Sequence, residues 1–123
     1  MSAAAARALA RVRALCLAHA EVSERLSHGA PTFFIRDAKT FVSFVDDHHG
    51  DGKLAIWCAA PPGAQEVLIA ADPERFYRPA YVGHRGWVGV RLDRAPDWKI
   101  VGSVIADGYD FVAASLPRPR KRV

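Results

Sequence analysis

The chain has 123 residues, of which 50% are hydrophobic and 24% are charged, enough for one folded domain with a single core. This composition excludes an intrinsically disordered chain, and no apolar stretch is long enough to cross a bilayer. Two cysteines are too few for a disulfide framework or a cysteine-based zinc module, and they are more typical of a protein in a reducing cytoplasm.

The positive charge is concentrated at the two ends of the chain. The first 20 residues contain three arginines and the last six contain four basic residues, and neither segment contains an acid. The middle therefore carries 10 basic against 13 acidic residues, although the whole chain has a net charge of +4. Nucleic-acid-binding domains usually have a basic body, so this layout predicts that attraction to a polyanion comes mainly from the ends.

Residues 3–18 are predicted to form the first helix. Leu9, Val12 and Cys16 fall on one face at helical spacing, as expected of a helix that packs on a core. The same acid-free segment also has the composition of an organellar transit peptide, with a small-residue sequence at 18–20 that could be a cleavage site. The apolar stripe favours the domain helix.

The rest of the chain alternates between short strands and helices. The predicted strands are 22–26, 32–36, 40–45, 53–59, 76–82 and 87–92. The predicted helices are 64–71 and a last helix that Asp97 caps and that runs to about residue 114. Strands joined by short turns pair antiparallel, so the fold class is α+β: a two-layer sandwich with the helices gathered on one face of an antiparallel sheet. The domain covers residues 1–116, and 117–123 are predicted to be a disordered basic tail.

Five segments, in this order, resemble the MmcQ/YjbR family of small bacterial proteins. They are Ser27-His28-Gly29-Ala30-Pro31-Thr32-Phe33, His48-His49-Gly50-Asp51, Ala59-Ala60-Pro61-Pro62-Gly63, Asp72-Pro73-Glu74-Arg75-Phe76 and Tyr81-Val82-Gly83-His84-Arg85-Gly86-Trp87-Val88-Gly89. The resemblance runs from about residue 9 to residue 115. It implies a YjbR-like fold similar to secretion-chaperone-like folds and a DNA-binding function, and it supplies no catalytic residues. Where the family often has a basic residue before Ala-Pro-Pro-Gly, this chain has Ala59-Ala60, which removes a positive charge there.

Two kinds of basic residue are candidates for contacts with DNA phosphates. In the tail they are Arg118, Arg120, Lys121 and Arg122, and in the folded body they are Arg36, Lys39, Arg85 and Arg91. The leading hypothesis is therefore a non-enzymatic, cytoplasmic DNA-binding module whose binding is weak and salt-dependent.

The alternative is a module that binds a small molecule or a protein through an aromatic sheet face and its histidine-containing loops. Strand alternation places Trp57 and Trp87 on the face opposite the aliphatic residues, where open indoles could stack on a flat ligand. His28 and His84, which lie in glycine-containing turns, are the other candidates for this ligand face. The competing interpretation is that both sheet faces are covered and that the indoles fill gaps in the packing.

The densest polar cluster is the loop at 46–52, which contains His48, His49 and Asp51. Such residues can ligate a divalent metal, but adjacent residues in a short loop rarely converge on one ion. The loop is therefore predicted to be solvated, with no metal and no cofactor. No pair of nucleophile and base is recognisable, so an enzyme is the third hypothesis.

Overall fold

Three α-helices and six strands are formed by residues 1–117, the part of the chain that the computed structural model describes. The helices are α1 (Ala3–Leu17), α2 (Ala64–Ala71) and α3 (Trp98–Ala114). The strands are β1 (Val22–Ser27), β2 (Ala30–Ile35), β3 (Lys39–Asp46), β4 (Leu54–Cys58), β5 (Phe76–Tyr77) and β6 (Val88–Arg91). The single-turn 3₁₀ helices at 48–50 and 83–85 lie in the loops after β3 and before β6.

The six strands form one sheet in the order β1-β2-β3-β4-β6-β5, and every neighbouring pair is antiparallel. The helices form a second layer on one face of this sheet. In that layer Leu15 of α1 lies beside Gly102 of α3, and the Cys58 thiol of β4 meets the Val104 carbonyl of α3. The predicted α+β class is confirmed. None of the helices within residues 1–117 has the length and apolar character needed to cross a membrane.

The first helix packs through its predicted stripe. Leu9, Val12 and Cys16 are buried, and Ser2 caps the helix by accepting a 3.0 Å hydrogen bond from the Ala5 amide. A serine in this position satisfies one of the backbone N–H groups that a helix start leaves without a partner. The segment is therefore part of the folded core.

The last helix also begins where the sequence predicts. The Asp97 side chain accepts hydrogen bonds from the amides of Lys99 and Ile100, at 3.0 and 3.4 Å. Gly108 faces the sheet so closely that a Cβ there would lie 2.9 Å from the Cys58 sulfur and would overlap the Ala59 carbonyl oxygen. The glycine therefore lets α3 sit directly against the end of β4.

The strand predicted at 76–82 is much shorter in the structure, where only Phe76 and Tyr77 pair with β6. Pro79 has no amide hydrogen for a sheet ladder, so the chain leaves the sheet before it. Its carbonyl instead accepts the Gly83 amide at 3.0 Å, and this turn folds residues 78–86 back over the sheet.

The register places Trp57 on the sheet face away from the helices, as the strand alternation predicts. It lies between Ser43 of β3 and Gly89 of β6, and Gly89 pairs in turn with Tyr77 of β5. The second indole, Trp87, directly precedes β6. Only 7% of Trp57 and 5% of Trp87 are exposed, so the two indoles do not form an open stacking face, and of the two interpretations the one in which they fill gaps in the packing agrees with the structure. Loops and long side chains cover this face and the indoles fill it.

Candidate nucleic-acid interface

Three of the four basic body residues lie at the same end of the strands of the sheet. Arg36 follows β2, and Lys39 begins β3 opposite Ile35. Arg85 lies just before β6. The first residue of β6 pairs with the last residue of β4, so Arg85 lies at the same end of the strands as Lys39, two strands away. Arg78, which follows β5, lies at this end of the strands as well. We call the residues along these strand ends the basic edge: Arg36, Lys39, Arg78 and Arg85.

The C-terminal end of the described chain is attached to this edge. The Arg36 guanidinium donates a 2.6 Å hydrogen bond to the Pro117 carbonyl, and the Lys39 ammonium donates a 3.0 Å bond to the Ser115 hydroxyl. The four basic residues predicted to bind DNA from the tail, Arg118, Arg120, Lys121 and Arg122, lie outside the described residues. They follow directly in sequence from the point at which Arg36 holds the chain.

The other half of the basic edge is held in place by α2. The Gln65 amide is buried and donates hydrogen bonds to the carbonyls of Gly83 and Trp87, at 2.9 and 2.5 Å. Arg78 lies against Gly83, where a Cβ would be 2.6 Å from its Cγ. The Arg85 guanidinium lies over the Trp87 ring, 5.3 Å from its centroid. Trp87 thus acts as a support for Arg85 rather than as an exposed stacking surface.

Acidic side chains neutralise only part of the edge. Arg36 pairs with Glu21 at 3.1 Å, and the nearby Asp37 pairs with Arg25 at 3.2 Å. Within residues 1–117, Lys39, Arg78 and Arg85 form no ion pair. All three are exposed, so their charges face the solvent.

The fourth predicted body contact, Arg91, does not belong to this surface. It is the last residue of β6 and lies at the opposite end of the strands. Its guanidinium makes two hydrogen bonds to Asp93, at 3.0 and 2.9 Å. Only 16% of the Arg91 side chain is exposed, and its hydrogen bonds hold the pKa of Asp93 below the usual value. A guanidinium already bound by a carboxylate on both arms has little capacity left for a phosphate.

The predicted ligand-face residues do not form one surface. His84 is exposed beside Arg85. His28 lies in the turn between β1 and β2, at the opposite end of the strands. His28 instead shares a cavity of about 150 Å³ with Asp46 and His48. No sequence motif links these three positions, because the cavity forms only when the β1–β2 turn meets the loop after β3.

The loop after β3 is not simply solvated. The His48 ring packs against Trp57 with the ring centroids 4.7 Å apart, and its Nε2 atom is buried without a hydrogen-bond partner among residues 1–117. His49 stays exposed, with its ring 6.0 Å from that of Tyr81 in the loop before β6. Within the described residues, no three His, Cys, Asp or Glu side chains are placed to hold a metal ion together.

Comparisons with known proteins identify the family and the fold. A family model described as YjbR matches residues 17–111. The structure is similar to a crystal structure of a Deinococcus radiodurans protein with a DUF419 domain, with a TM-score of 0.71 and 18% sequence identity over 85% of this chain and 78% of that one. At this level of identity the likeness concerns the fold alone. No curated protein sequence matches this chain.

Proposed function

The chain belongs to the YjbR family, and we propose that it is a non-enzymatic module that binds DNA through its basic edge and the basic residues after Pro117. The observation that carries the proposal is the hydrogen bond from Arg36 to the Pro117 carbonyl. It holds Pro117, the residue directly before the most basic segment of the sequence, beside the exposed cations of the basic edge.

The expected binding is electrostatic and independent of sequence. Exposed lysine and arginine side chains release counterions when they meet phosphates, and this release drives non-specific association. The residues of the basic edge lie at strand ends and in loops rather than on a helix, so we expect contacts to the DNA backbone rather than to base edges. The acidic surplus in the middle of the sequence repels phosphates and confines binding to this edge.

The salt dependence of duplex binding tests the proposal with the full chain. Four phosphate contacts from Arg118, Arg120, Lys121 and Arg122 contribute about 3.6 to the log–log slope, so replacing all four with glutamine should lower the slope by about that amount. Replacement of Lys39, Arg78 and Arg85 should lower it by about 2.7, because three further contacts are lost.

A matched control separates the edge from net charge. Arg7, Arg94 and Lys99 are exposed and lie away from the basic edge, so their replacement with glutamine changes the charge by the same amount as the Lys39, Arg78 and Arg85 variant. We expect this control to keep a slope close to that of the wild type. Equal loss in the two triple variants, or no binding by the wild type at low salt, would rule out the proposed interface. Circular dichroism of each variant shows that it is folded.

A second candidate function rests on the cavity shared by His28, Asp46 and His48. Two imidazoles and a carboxylate around about 150 Å³ can hydrogen-bond a small polar ligand, which keeps the small-molecule alternative as a proposal. Thermal-shift screening of small carboxylic acids and phosphate tests it. A stabilising compound whose effect is lost in His28→Ala supports this function, and a compound that stabilises both proteins equally counts against it.

A further inference from the structure

We propose that the groove between α2 and α3 docks a basic amphipathic helix from a partner protein. This surface lies on the helical layer and is independent of the basic edge. Apolar side chains stay exposed along this groove, and the charge beside them is of one sign.

The last helix carries two apolar stripes, and the second is only partly buried. Val101, Ile105 and Val112 face the sheet and are buried. On the second stripe, Val104 is buried and Ile100 half-buried beside α2, while Phe111 on the same side of the helix is 42% exposed. A surface helix normally has one apolar stripe, so the exposed part of the second stripe indicates a face that packs against a further element.

The second helix supplies the opposite wall of the groove. Ala64, Val67 and Leu68 line it, and the space between the two helices measures about 260 Å³. Val67 is 68% exposed even though it belongs to this apolar wall. Aliphatic side chains along a groove between two helices are the surface on which a third helix docks, with residues at positions i and i+4.

The charge beside the groove is acidic. Asp107 lines it and is exposed, and Asp110 is exposed less than one turn further along α3. Neither carboxylate forms an ion pair within residues 1–117, and no lysine or arginine lines the groove there. The complementary partner therefore carries lysines or arginines next to its apolar stripe.

The same charges disfavour the other occupants. Two copies of this chain packed through this groove would bring Asp107 and Asp110 of both into one interface without a basic partner from the groove, and uncompensated like charges reduce affinity. Nucleic acid is disfavoured for the same reason, because its phosphates would meet carboxylates. Since α2 has eight residues, it is about 12 Å long and spans about two turns of a docked helix.

Fluorescence anisotropy with two synthetic helical peptides tests the proposal. Both peptides carry leucines at i and i+4, and lysines flank the leucines in one while glutamates flank them in the other. We expect the wild type to prefer the lysine peptide. Val67→Glu, which places a charge on the apolar wall, should weaken that binding about tenfold or more.

A charge reversal distinguishes the groove from general attraction to cations. Asp107→Lys should reverse the preference toward the glutamate peptide. Glu66→Lys makes the same change in charge on the part of α2 that does not line the groove, so it should keep the preference for the lysine peptide. Equal effects of the two reversals, or no peptide binding by a folded wild type, would overturn the proposal. Sedimentation equilibrium adds a third readout: a dimer that Val67→Glu dissociates would assign the groove to a second copy, also against the proposal.

Discussion

The Trp57 indole N–H donates a 2.9 Å hydrogen bond to the Tyr77 hydroxyl across the strand that separates them. The Tyr77 ring reaches this position by lying over Gly89, which has no side chain to obstruct it. Burial raises the pKa of Tyr77 to about 12, so its hydroxyl stays protonated at neutral pH and accepts the indole N–H. This arrangement closes the sheet face that strand alternation alone would leave open.

Gly89→Ala should destabilise the protein by about 1–3 kcal/mol, because the new Cβ would overlap the Tyr77 ring and force it aside. Tyr77→Phe removes only the hydroxyl and should cost about 1 kcal/mol. Urea unfolding followed by tryptophan fluorescence measures both. A Gly89→Ala variant as stable as the wild type would show that Tyr77 does not need this position.

Two glycines of α3 should respond to alanine with opposite signs. Gly108→Ala should lower the free energy of unfolding by about 1–3 kcal/mol, because the Cβ would collide with the end of β4. Gly102→Ala places its Cβ 3.4 Å from the flexible Leu15 side chain, so the gain in helix propensity should dominate and stabilise the protein by about 0.5–1 kcal/mol. Chemical denaturation of the two variants in parallel provides the comparison, and the same sign for both would contradict it.

The Arg91–Asp93 pair should contribute a pH-dependent part of the stability. Because Arg91 lowers the pKa of Asp93 in the folded state, the contribution is present at neutral pH and is lost as the pH falls below the ordinary carboxyl value of about 4. Asp93→Asn should therefore be less stable than the wild type at pH 7, and the difference should shrink at acidic pH. Arg91→Gln should behave similarly. A difference that stays constant from neutral to acidic pH would show that the pair has no such role.

The helices and most strands could be predicted because each has a local signal. The stripe through Leu9, Val12 and Cys16 and the cap at Asp97 depend only on neighbouring residues, and both are present in the structure. The basic edge could be predicted only in part. Arg36 and Pro117 are 81 positions apart, so their contact depends on how α3 crosses the sheet rather than on any spacing in the sequence.

Strand alternation predicts which side of the sheet an aromatic residue is on, but it does not predict whether that side is covered. Alternation placed Trp57 on the correct side of the sheet, but the residues that bury it, such as His48 and Tyr77, come from a polar loop and a two-residue strand. Loops have no periodicity that indicates which surface they cover. Arg78 was missed for the same reason, since Gly83 and the following Arg85 meet it only because the turn from Pro79 to Gly83 brings the chain back.

His48 and His49 should differ sharply although they are adjacent. His48→Ala removes a ring packed on Trp57, so it should change the emission of Trp57 and lower the stability by about 1 kcal/mol or more. His49→Ala alters an exposed ring and should stay within about 0.5 kcal/mol of the wild type. Fluorescence spectra and urea midpoints of the single variants distinguish them, and equal effects would mean that the loop is solvated as the sequence suggested.

Both cysteines should be unreactive in the folded protein. Burial raises the pKa of the Cys16 and Cys58 thiols well above their usual value, and the reactive thiolate is therefore scarce as well as inaccessible. A chromogenic disulfide reagent at mildly alkaline pH should label neither residue in buffer and both in denaturant. Gly108→Ala, which crowds the Cys58 sulfur, should increase the labelling rate because the destabilised protein unfolds more often. Rapid labelling of the native wild type would place at least one thiol at the surface and would contradict the packing of α1 and α3 on the sheet.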